Sequence, residues 1–156
     1  MLLTRAVPEA LPKRRRRWPF FVCVAVLALM VAHTVVFRVP QWRNDENLAR
    51  LSERVRMVPL PPRTEHDLRA EAREVRLLEG NGNHCDYLVH LALVTKLPDA
   101  EIARYYEFVT VEGVDGAKLS GTVYVNPSGS WREGFKGVIV EFFDGGHEAG
   151  FDLRCH

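Results

Sequence analysis

The chain has 156 residues, 47% of them hydrophobic, and a formal charge of +1 at neutral pH. That near-neutral total conceals an asymmetry. Residues 1–37 carry +5 and residues 38–156 carry −4, so the larger part lacks the basic excess that nucleic-acid binding needs. Arginine outnumbers lysine seventeen to four, a ratio that codon bias in a GC-rich bacterial genome would explain.

Residues 1–17 form a basic tail that ends in Lys13 and Arg14 to Arg17. The uncharged segment WPFFVCVAVLALMVAHTVVF, residues 18–37, follows at once. Twenty residues of helix rise about 30 Å, the thickness of a hydrocarbon core. Trp18 and Trp42 stand near its two ends, as interfacial aromatics do. The expectation is a retained single-pass transmembrane helix, a signal-anchor in contact with the lipid bilayer. A cleaved signal shares the same grammar of basic residues and apolar core, but Met30 disfavours a cut after Ala32. Basic residues are packed against the near edge of the span and dispersed among acids beyond it. The positive-inside rule therefore predicts a cytoplasmic N-terminus and an extracytoplasmic C-terminal part.

Residues 38–63 are expected to form a juxtamembrane stalk whose amphipathic helix lies on the domain or on the membrane. Leu48, Leu51, Val55 and Val58 make an apolar stripe of helical spacing, with Asn44 or Asp45 placed to cap the helix start. Two heptads are too few to specify a coiled coil, so residues 44–58 offer at most a weak homodimer contact. Pro59-Leu60-Pro61-Pro62 ends the helix as a stiff spacer.

Residues 64–156 read as one small extracytoplasmic domain. Thr64-Glu65-His66-Asp67 has the pattern of a capping box and predicts a short helix through Ala72. A strand is expected over Glu74–Glu79, then a GNGN turn. His84–Thr95 is the clearest strand, apolar on both faces and so expected to be central. Pro98 opens a helix with Ile102, Tyr105, Tyr106 and Val109 on one side. Further strands are predicted at Lys118–Val125, Gly137–Phe143 and Phe151–Cys155, with Asp144–Gly150 as a turn. The predicted class is α+β: a transmembrane helix, a short stalk helix, then a small antiparallel sheet packed by one main helix.

Cys85 and Cys155 both fall on apolar faces of their predicted strands. A disulfide between them is expected, because the compartment beyond the span is oxidising. His84, Asp86, His147 and Glu148 are the candidate metal or ligand residues; no CxxC pair or HExxH accompanies them. No Gly-x-Ser-x-Gly elbow or phosphate-binding glycine loop is present, so no catalytic residue is assigned and no cofactor is expected. Trp131, Arg132 and Phe135 combine aromatic and guanidinium groups in one loop, a composition favoured at protein contacts. The functional expectation is a non-catalytic cell-envelope binding or assembly module working with a membrane or envelope protein. A small-ligand or metal-binding domain is the alternative, and a hydrolase ranks behind it.

Overall fold

The structure, a computed structural model, describes residues 17–126 and 133–156. A continuous 39-residue helix runs from Trp18 to Arg56. It comprises α1 (Trp18–His33), a π turn (Thr34–Arg38) and α2 (Val39–Arg56). The wide turn ends two residues before Pro40, which has no N–H to bond the carbonyl of Val36, so local widening lets the helix pass a proline that would otherwise break it. The helix therefore has no start at the expected capping site, Asn44 or Asp45, but runs straight through it. Asn44 is a buried residue inside α2 rather than its cap.

The two halves of this helix differ sharply. No residue of α1 is buried, although it is almost wholly apolar. In α2, Leu51 and Val55 are fully buried and Leu48 nearly so. These side chains join the core of the domain, with Val58 just beyond the helix. The predicted stalk is therefore a structural layer of the domain. Its apolar stripe is covered by the chain's own sheet, so a second copy could meet that stripe only by uncovering the core.

The sheet contains β1 (Thr64–His66), β2 (Ala72–Arg76), β3 (His84–Thr95), β6 (Thr122–Asn126) and β7 (Lys136–Glu148). Between β3 and β6 lie α3 (Asp99–Glu107) and a separate two-stranded ribbon, β4 (Thr110–Glu112) with β5 (Lys118–Ser120). All pairings are antiparallel, and β1 and β2 share one edge of β3 while β7 takes the other. The expectations of an α+β chain, a long apolar N-terminal helix and a small antiparallel sheet hold. β3 has the predicted bounds and lies inside the sheet.

Its face carrying Cys85, Tyr87, Val89, Leu91 and Leu93 meets Val138, Val140 and Phe142 of β7 in the core. Ile102 and Tyr106 of α3 join the same core. On the other face Ala92 and Val94 are buried, whereas Leu88, Ile139 and Phe143 are only half-buried.

Several local expectations fail for tertiary reasons. The capping-box segment is strand β1, because Thr64, Glu65 and His66 pair with Thr95, Val94 and Leu93. The expected strand over Glu74–Glu79 is shifted to Ala72–Arg76. Beyond it the backbone N–H groups of Leu78 and Glu79 turn to the Asp86 carboxylate instead of a neighbouring strand. Lys118–Val125 is divided at Gly121 into β5 and β6, which belong to different sheets. A Cβ at Gly121 would lie 2.7 Å from Val140 Cγ1 and 3.0 Å from Phe142 Cζ, so the chain passes the core there only as glycine. The Asp144–Gly150 turn is largely strand, since β7 continues to Glu148 and pairs His147 with Cys85. Phe151–Cys155 is a turn followed by a 3-10 segment, Leu153–Cys155. Cys155 is buried as expected, but Phe151 and Leu153, expected beside it on the inner face, are exposed, and Asp152, expected outside, is buried.

Candidate functional site, a cleft beside the apolar helix

The polar chemistry of the domain concentrates at one end of the β3–β7 pair, next to the junction of α1 and α2. Cys85 and Cys155 are joined there in a disulfide that closes a separation of 70 residues. Around it lies a buried polar network. Asn44 donates from Nδ2 to Asp152 Oδ2 at 2.9 Å and to Cys85 Sγ at 3.2 Å, and its Oδ1 accepts from the Tyr87 hydroxyl at 3.0 Å. Arg154 donates to both oxygens of Asp152, to Asp45 Oδ1 and to the carbonyl of Gln41. The network fastens the C-terminal 3-10 segment to α2.

These contacts set the ionisation of the groups. Burial acts to raise the Asp152 pKa, but hydrogen bonds from Arg154 and Asn44 outweigh it and hold the carboxyl below its ordinary value. The hydrogen bond to Asp152 raises the Arg154 pKa further. For Asp86, burial again acts upward; three backbone N–H groups, of Leu78, Glu79 and Gly146, prevail and lower the pKa. Burial raises the Tyr87 hydroxyl.

The four expected ligand residues occupy adjacent positions on β3 and β7: His84 lies opposite Glu148, and Cys85 opposite His147. They do not converge on one point. His84 Nε2 lies 3.4 Å from Asp86 Oδ1, while His147 is occupied elsewhere. Its Nε2 is 2.8 Å from Asp144 Oδ1 and its Nδ1 is 2.9 Å from Asp115 Oδ2. A carboxylate only accepts, so both contacts are hydrogen bonds together only when both ring nitrogens carry hydrogen. Among the described residues, one group of three metal-type ligand atoms lies within 4.8 Å of one another: Cys85, Asp152 and Cys155. Its two sulfurs are bonded to each other.

Asp144 is held by a second close approach. Its Oδ2 accepts from Val114 N at 2.6 Å, and a Cβ on Gly113 would lie 2.6 Å from the same oxygen. The β4–β5 ribbon is thereby docked onto β7, which brings Asp115 to His147. Asp115, Asp152 and Arg154 were missed as site residues because their roles depend on this docking. Asn44 did leave a signal: it continues the Leu48–Leu51–Val55 stripe one turn earlier, as a polar residue in an apolar register.

These elements enclose a cleft of about 550 Å³. Val35, Val36 and Val39 of the helix and Phe151 form its apolar end. Its polar end is lined by Arg43, Asn47, Tyr87, Asp115, His147 and Glu148. Phe151 packs edge-on against Phe37, with ring centroids 6.1 Å apart. Trp131 and Arg132, expected as partner contacts, lie outside the described residues. Phe135, from the same loop, is half-buried with its ring 4.7 Å from Lys96 Nζ. No protein-family model, curated protein or solved structure matches the chain.

Proposed function

We propose that the protein is a single-pass membrane-anchored module whose C-terminal domain lies outside the cytoplasm and acts by binding rather than by catalysis. The observation that carries this reading is the division of one helix. Residues 39–56 are built into the domain core, whereas α1 carries large apolar side chains and, among the described residues, buries none of them. Phe20, Leu27, Leu29 and Met30 are each more than 60% exposed. Left in water, this many apolar side chains would carry a heavy cost, at roughly 25 cal/mol per Å². A bilayer removes that cost.

The Cys85–Cys155 bond and the basic cluster before Trp18 both favour the extracytoplasmic orientation. Binding is favoured over catalysis by the state of the cleft's polar groups. Both nitrogens of His147 are engaged by carboxylates, at 2.9 and 2.8 Å, so neither is turned free toward the cleft. Among the described residues, no Ser, Thr, Cys or Lys lines the cleft.

Fractionation of the full chain tests the anchor and its orientation together. The expected result is retention in membranes after alkaline carbonate washing, with the domain open to protease added to intact spheroplasts. Release by carbonate would refute the anchor, and protection from protease would refute the orientation.

A further inference from the structure

The cleft meets the helix at a particular height. Counting 1.5 Å per residue from Trp18, Phe37 lies about 30 Å along the axis, at the far edge of the hydrocarbon core. Val35 and Val36 of the cleft wall therefore lie at acyl-chain depth, and Arg43 and Asn47 lie at the level of the headgroups and beyond. The contact of Phe151 with Phe37 fixes the domain at that height. The cleft is apolar at its membrane end and polar at its outer end, the polarity profile of a single phospholipid.

Its charged groups are also distributed for a particular headgroup. Arg43 and Glu148 are both exposed and both line the cleft. Neither side chain takes part in an ion pair or hydrogen bond among the described residues, whereas those of His147, Asp115, Asp144 and Asp152 are all engaged with one another or with Arg154. The cleft thus offers one guanidinium suited to a phosphate and one carboxylate suited to an ammonium. From this we infer that the cleft holds a zwitterionic, amine-bearing phospholipid of the adjoining leaflet. The phosphate meets Arg43, the ammonium meets Glu148, and an acyl chain lies along Val35, Val36, Val39 and Phe151. The inference rests on the membrane anchorage proposed above and adds the class of ligand.

The test places the full chain in nanodiscs of equimolar phosphatidylethanolamine and phosphatidylglycerol with matched chains, then ejects it in a mass spectrometer and identifies the lipid it retains. The expected retention favours phosphatidylethanolamine about threefold, the scale of one exposed ion pair. Glu148→Gln should bring the ratio close to one. Arg43→Gln should reduce retention of both lipids. Both side chains are exposed, so neither change threatens folding. Glycerophosphoethanolamine, the headgroup without tails, should not displace the retained lipid at millimolar concentration.

Equal retention of the two lipids by the unmodified chain, or a preference unchanged by Glu148→Gln, would overturn the inference. Full displacement by the tail-less headgroup would reassign the cleft to a soluble ligand and overturn it equally. A chain that does not enter the discs at all would refute the anchor itself, and the lipid site with it.

Discussion

Leu51 decides whether α2 is a stalk or a wall of the domain. Its side chain is fully buried between the helix and the sheet, with Leu48 and Val55 one turn to either side. Leu51→Ala removes most of that side chain from a packed core. Such truncations cost about 2.7–5 kcal/mol, the transfer term plus the cavity left behind. For a domain of this size each kcal/mol moves the midpoint by roughly 4 °C. The expected drop in Tm is therefore more than about 10 °C. The assay is thermal unfolding of the full chain in mild detergent, followed by the near-ultraviolet signal of the buried Tyr87 and Tyr106. Glu46→Ala is the control: it breaks the exposed i,i+4 pair with Arg50, for which about 0.5 kcal/mol is expected. If Leu51→Ala shifts Tm no more than Glu46→Ala does, α2 is not packed on the sheet and the account of the core is wrong.

Reducing the Cys85–Cys155 bond should cost about 4 kcal/mol in the chain-entropy model, given the 70-residue separation. Alkylation of both thiols in the unreduced, unfolded chain would show that the bond does not form. Gly121→Ala should destabilise by about 1–3 kcal/mol, because its Cβ meets the fully buried Val140 and Phe142; an unchanged Tm would mean the chain does not cross the core there. Asp86 and Asp152 both have folded-state pKa values below 3.8, so their contribution is complete above that unfolded-state value. It is lost as pH falls through the lower folded values. Acid melting curves of Asp86→Asn should show a shallower decline over that window than the unmodified chain, and an equal slope would contradict the assigned backbone hydrogen bonds.

How much was legible from sequence varies by element. The apolar segment, β3 and α3 were readable because each states its burial in its own periodicity. His84–Thr95 alternates with apolar residues on both sides, and Ile102 and Tyr106 recur at helical spacing. The partnering of Cys85 with Cys155 was readable for a different reason: two cysteines remained in the outer part, and each fell on the apolar face of its predicted strand. The segments that misled are those whose local signal is weak or divided. Thr64–Asp67 satisfies a helix-capping pattern, yet three backbone pairings to β3 outweigh it. Asp144–Glu148 contains two adjacent glycines and reads as a turn, but the far end of β3 supplies a partner for it.

The candidate site shows the same division. His84, Asp86, His147 and Glu148 were visible as polar residues of useful chemistry, and the β3–β7 register does set them side by side. Their partners could not be read in sequence. Asp115 reaches His147 only because Gly113 allows the β4–β5 ribbon to dock on Asp144. Arg154 meets Asp45 and Asp152 only because the C-terminal segment folds back on α2.

By itself, then, the sequence determined a long apolar helix, a central strand, an α+β class and a matched pair of cysteines. Each follows from hydrophobic periodicity or composition, which are properties of a single segment. Tertiary structure alone decided that the helix carries on past Pro40 into the core, that His147 is held between two aspartates, and that Arg43 and Glu148 line one cleft with no side-chain partner among the described residues. Those outcomes depend on which distant segments share one surface. Packing energy distributed over many residues selects that arrangement, and no local pattern encodes it.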